Sequence, residues 1–257
     1  MKLFKKSLKN IIIIFFWLGV WELLALAVNQ ELFLPHIGSV IKVWAKLCIT
    51  SGFWVTVMSS IFRITFGILI AVLAGSVLAV ITSKSRFAYD LLYPLLTAIK
   101  ATPVASFIIL AIIWMGAERL PIFISALMVF PIVWAAVSDG IKSIDPKHRE
   151  LASVFKFSFL KRLKLIYLPT VAPFFLSACK TSIGLAWKAG IAAEVLAYSP
   201  TSIGKHLSDA RIYYEIPELF AWTLTVIILS LAIEALVTRS ATALGKKYAL
   251  VRSYAKN

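Results

Sequence analysis

Apolar runs as long as a bilayer is thick recur along this chain, and they leave few folds open to it. The first, Ile11–Val28, is interrupted only by Glu22; at ~1.5 Å per residue it reaches ~27 Å, the depth of the hydrocarbon. Comparable runs follow at 54–81, from about 90 to 114, at 120–137, 169–196 and 220–237. Backbone amides inside a bilayer must bond within their own segment, so each run is expected to be a helix. The expectation is an all-α polytopic membrane protein with six spans, a single transmembrane domain over 1–257. With 60% hydrophobic and 15% charged residues, a soluble domain is excluded.

The excess of bases, +15 at neutral pH, would suggest nucleic acid in a soluble protein. Here its placement gives another reason. Lysines and arginines concentrate before the first run, after the second, at 142–164 and from 239 onward. The opposite side holds only Lys42, Lys46, Arg119, Lys205 and Arg211. That bias puts both termini in the cytoplasm and makes a nucleic-acid partner unnecessary. A cleavable signal peptide is the rival for the first run, since Ala25-Leu26-Ala27 offers a small-residue site. Glu22, Trp17 and Trp21 argue against it.

Two spans carry small residues every fourth position, Gly67, Ala71, Gly75 and Ala79 in one, Ala178, Ser182, Ala186 and Gly190 in the other. Such stripes let helices approach closely. In the third span, Lys100-Ala101-Thr102-Pro103 marks a break, because Pro103 removes a donor and disfavours helix at Thr102. Lys100 is expected to bind the carbonyls freed there.

Between the fourth and fifth spans, 145–169 is too polar to cross. Asp145-Pro146 reads as an N-cap and first helical residue, and Leu151, Val154, Phe155 and Ser158 fall on one face of the helix that follows. Such a stripe needs a cover, either anionic lipid or a partner. Glu150, Leu151 and Ala152, then three residues, Lys156, nine residues, and Ile166, Tyr167, Leu168 and Pro169 resemble the cytoplasmic "EAA" loop of binding-protein-dependent ABC transporter permeases. The family pattern has alanine at the position of Leu151, and glycine at that of Lys156, where a tight turn joins two short helices. A lysine at positive φ carries a steric cost that glycine does not.

The resemblance extends over 54–239, the permease core. Ser59 to Gly67, Lys100 to Pro103, Trp114 to Glu118, Pro131 to Gly140 and Ala192-Ala193-Glu194 are similar to the nitrate, sulfonate and taurine branch. It implies a type I importer permease with 145–169 as its coupling loop, docked on an ABC ATPase subunit. Two permease copies, two ATPases holding ATP and Mg²⁺, and an extracytoplasmic substrate-binding protein complete the implied assembly. Coupling would fall to Glu150, Leu151, Ala152, Phe155, Lys156, Ile166, Leu168 and Pro169. Relatives also carry thiamine precursors, riboflavin or bicarbonate, so the solute stays open.

The chain has no phosphate-binding loop: Gly204-Lys205-His206 and Gly245-Lys246-Lys247 both fail the pattern. Cys48 and Cys179, and the scattered His36, His148 and His206, suggest neither a disulfide nor a metal or catalytic cluster. A charge near mid-bilayer costs at least ~2.5 kcal/mol, so Arg63, Lys100, Lys188 and Glu194 are the candidates for a polar translocation path. Glu194 continues the face of Ala186 and Gly190 and is expected to meet Arg63 or Lys188, with interhelical ion pairs as the alternative role. A secondary transporter or channel is the alternative class and would need paired helix breaks in two halves; only one break is visible. An intramembrane enzyme would need convergent catalytic residues, and none is apparent.

Overall fold

The computed structural model describes residues 2–254, with side chains from 11 to 243. The basic residues Lys2–Lys9 and those after 243 therefore lie outside the described side chains. Among the described residues the chain is all helix, turn and loop.

Helix α1 (Lys2–Val28) is followed by a short amphipathic α2 (Ile37–Ile49) and the long α3 (Ser51–Lys84). Glu22, read as a charge deep in the first span, reaches the start of α2: one oxygen accepts from the Ile37 amide at 3.0 Å and the other meets His36 Nδ1 at 2.9 Å. A carboxylate at a helix start satisfies a donor with no partner in its own helix. Trp44 of α2 donates to Thr225 Oγ1 on α10 (Ile216–Tyr254).

The core is α3, α5 (Val104–Lys142) and α8 (Leu168–Ala197). Both small-residue stripes are buried. A Cβ on Gly67 would lie 2.3 Å from the Ile122 carbonyl oxygen, and one on Gly190 would lie 2.6 Å from Ile64 Cγ1 and 2.7 Å from Ser125 Oγ. Only a hydrogen fits at either position, so backbones approach where side chains would otherwise hold them apart. Further along, Gly75 meets Phe130, and Trp134 donates to Thr82 Oγ1 at 3.0 Å. Position thus advances in the same sense on α3 and on the second limb of α5, which makes those two limbs parallel. Helix α8 runs against them, from Val171 beside Gly140 to Ser199, which donates to the Ala117 carbonyl at 2.6 Å.

Parallel limbs require a return between them. It is made in two pieces, α4 (Arg86–Ala101) and the first limb of α5, separated at Thr102-Pro103. Tyr89 stacks on Trp134, Leu96 packs with Val129 and Val133, and Ile108 and Ala111 share a cluster with Leu120 and Ile124. The chain turns back at Gly116, whose φ of 71° and ψ of 166° belong to a region open to little but glycine. Five helices among the described residues are long and apolar enough to cross; the third and fourth expected spans lie on either side of the Gly116 reversal within α5, and Pro103 leaves α4 as a separate piece.

Candidate functional site

At the end of the core where Lys84, Lys142 and the start of α8 meet, the chain makes a helical hairpin. Helix α6 (Pro146–Val154) starts as expected, with the Asp145 carboxylate accepting from the Lys147 amide at 2.9 Å and Pro146 in the first turn. It ends at Lys156, whose φ is 48°. The Phe157 amide donates to the Ala152 carbonyl at 2.9 Å, the 6→1 bond of a Schellman turn. The tight turn usual at a glycine is therefore kept by a lysine, at the cost of left-handed backbone.

A second short helix, α7 (Phe159–Arg162), runs through a π-helical turn at Leu163–Tyr167 into α8. Pro169 accounts for the widening: it lacks an amide proton and crowds the carbonyl four residues back, and the Leu168 amide bonds five back, to Leu163. Ala152, Ile144 and Ile166 bury against one another with Phe157 and Tyr167 around them, and Pro169 is buried beside them. Arg149 donates to the Ile141 carbonyl at 3.1 Å and Arg162 to the Phe157 carbonyl at 3.1 Å, so both arms are braced.

The other face of the hairpin is uncovered. Leu151 is 51% exposed and Phe155 66%, and Val154, Phe159 and Leu160 extend the apolar surface; Glu150 and Lys156 stand at the surface beside them, while Leu168 is partly exposed. Ala152, counted with the coupling residues, faces inward instead.

The candidates inside the spans form no ion pair with one another among the described residues. Glu194 is wholly buried, but its partners are uncharged: Oε2 accepts from Ser60 Oγ at 2.9 Å and from the Gly204 amide at 3.2 Å. Ser60 Oγ accepts in turn from the Ile203 amide at 3.0 Å. These bonds fasten the first turn of α9 (Ile203–Ile212) to α3 and α8, and a Cβ on Gly204 would meet Glu194 Cβ at 2.3 Å. Neither Arg63 nor Lys188 lies within 4 Å of a carboxylate among the described residues, which corrects the expected ion pair. Arg63 Nη1 and Glu194 Oε1 are buried without a partner. Lys188 is exposed, on the strip of α8 that also exposes Ser177 and Thr181. Lys100 is exposed too, and at the break beside it Thr102 holds the Ala98 carbonyl through both its amide at 3.0 Å and its hydroxyl at 2.8 Å.

Ser60 and Gly204 were missed from sequence. Ser60 had a signal, since it lies in phase with Ile64, Gly67 and Ala71 on a buried face, where a hydroxyl needs a partner.

Residues 67–249 match the family described as binding-protein-dependent transport system inner membrane component. The protein named as an aliphatic sulfonates transport permease, SsuC, of Bacillus subtilis is 25% identical over 206 residues, covering 79% of this chain and 74% of that protein. The nitrate import permease NrtB of Leptolyngbya laminosa is 26% identical over 221 residues, covering 81% and 77%. A chain of a bacterial ABC transporter involved in the import of the acidic polysaccharide alginate has a similar fold, with a TM-score of 0.61, 16% identity, and coverage of 95% of this chain and 99% of that one.

Proposed function

The chain belongs to the family of binding-protein-dependent transport system inner membrane components, a transport subunit and not an enzyme, and we propose that two copies of it form the path of an ATP-driven importer for a small anion of the sulfonate, taurine or nitrate kind. The observation that carries the reading is the hairpin at 145–169, braced on one side by buried Ala152 and Ile166 and bare on the other at Leu151 and Phe155. A partner ATPase, holding ATP and Mg²⁺, covers that bare face from the cytoplasm. An extracytoplasmic binding protein delivers the solute to the opposite end.

The mechanism is movement by contact. Closing of the ATPase dimer displaces α6; the tight turn at Lys156 and the continuous run from Phe159 into α8 pass the displacement to the core. Lys188, on the exposed strip of α8, meets the solute, whereas Glu194, with Ser60, acts from the interior by holding α9 at the outer end. A small anion suits a path with a lysine exposed along it, and the similarity to SsuC and NrtB favours the same solute class.

Co-expression with an ABC ATPase encoded beside this chain tests the reading. Joint purification and vanadate-sensitive uptake of a sulfonate or nitrate into proteoliposomes are expected. Uptake that persists without nucleotide would reject it in favour of a secondary transporter.

A further inference from the structure

Beside the hairpin, at the same end of the core, lies a cavity of about 520 Å³ between the end of α3, the start of α4, the end of α5 and the start of α6. We propose that it is a binding site for a phosphate-class anion, which goes beyond the importer reading and requires none of its partners. Lys84, Arg86, Lys142 and Arg149 line it, one base from each of the four helices, and Asp90 is the only acid there. Charges that merely orient a membrane protein need only lie on one side. These converge from positions as far apart as 84 and 149 on one hollow.

The bases are held but little neutralised. Among the described residues Lys84, Lys142 and Arg149 have no carboxylate within 4 Å, and Arg86 has only Asp90, at 3.9 Å in an exposed pair. Lys142 Nζ sits 3.6 Å from the centre of the Tyr89 ring, and Arg149 Nη2 is fixed on the Ile141 carbonyl, leaving its remaining donors for a ligand. Thr82 and Ser83 also line the hollow, but their hydroxyls donate to carbonyls of their own helix, so the donors left for a ligand are the bases. Uncompensated cations at this density attract a multiply charged oxyanion, whose several oxygens accept from several donors at once. Ile81, Phe87 and Leu91, all exposed nearby in sequence, offer an apolar flank that acyl chains could follow. The anion is thus either a phospholipid headgroup or free phosphate.

The test uses the full chain alone. One arm reads retained phosphatidylglycerol by native mass spectrometry after purification. The other titrates inorganic phosphate against Tm in nanodiscs of phosphatidylcholine only. Retention that falls about tenfold in Lys84→Gln/Lys142→Gln, and not in Lys161→Gln/Lys164→Gln, supports the site with a lipid source. A phosphate-dependent rise in Tm lost in the first double variant only supports it with free phosphate. The variants' Tm without anion shows whether they fold. Neither response, or equal responses in both double variants, overturns the proposal. Because no ATPase is present, either result leaves the importer reading where it stands.

Discussion

The seam between α3, α5 and α8 and the hairpin of α6 and α7 both rely on small and apolar residues, yet only the seam is closed by this chain alone. Along the seam, Gly67 and Gly190 bring backbones to within a side chain's thickness, and Ser60, Ser125 and one oxygen of Glu194 find partners within the chain. In the hairpin, Ala152 and Ile166 are buried while Leu151, Val154, Phe155, Phe159 and Leu160 stand in the open. Apolar side chains in a loop too polar to enter the bilayer lower the free energy only when another molecule covers them. One region therefore makes the fold, and the other makes the fold useful to something else.

The comparison breaks most visibly if the seam tolerates bulk. Gly67→Leu places a side chain on the Ile122 carbonyl, and a cost of about 3 kcal/mol or more is expected, read as loss of the monodisperse folded species in detergent. The hairpin should behave in the opposite way. Leu151→Ala with Phe155→Ala is expected to leave stability within about 0.5 kcal/mol of the parent, because both side chains are already exposed. Capture of the partner ATPase should weaken by roughly thirtyfold or more, as truncation of interface anchors costs about 2 kcal/mol or above. Lower stability with capture intact would reverse the roles assigned to the two regions.

Smaller changes sharpen it. Glu194→Ala strips the acceptor from Ser60 and from the Gly204 amide and is expected to cost about 1–3 kcal/mol in thermal unfolding; Glu194→Gln keeps an acceptor oxygen and should cost less. Equal losses would show that the charge, and not the hydrogen bonds, holds α9. Lys156→Gly relieves a non-glycine residue at φ 48° and is expected to stabilise the hairpin by about 1 kcal/mol, measured by slower proteolysis at 153–158.

What sequence conveyed about the fold is what periodicity and spacing can carry. The stripes at 67–79 and 178–190 identified the buried faces because a helix repeats its face every 3.6 residues, and the intervals from Glu150 to Pro169 located the hairpin and its turn. Partners were another matter. Glu194 could be put on a face by phase, but the amide it accepts from belongs to Gly204, in a stretch without apolar rhythm, and Arg63 on the neighbouring helix proved too far for an ion pair. Lys100 was adjacent to a break in the chain, yet the side chain that bonds the helix end there is the shorter Thr102, on the Ala98 carbonyl of its own turn. The reversal at Gly116 falls between the third and fourth expected spans, where the short polar stretch at 115–119 interrupts the apolar run.

The least of the expected effects concerns the end of the seam away from the hairpin, where α9 meets α10. The His206 ring stacks on Trp222 at 4.6 Å, and its Nε2 lies 3.5 Å from Thr56 Oγ1. Burial lowers the His206 pKa from its ordinary value; Asp209 opposes the shift and Lys205 adds to it. Since the folded chain holds the imidazole neutral more firmly than the unfolded chain does, this contribution to stability is complete above about pH 6.5 and declines as pH falls through the lowered folded value. Thermal unfolding between pH 7.5 and 5 should show a decline that His206→Phe abolishes, the phenyl ring keeping the stack while removing the proton site. An identical decline in that variant would mean that His206 contributes by packing alone and is not the group whose protonation weakens this end of the seam.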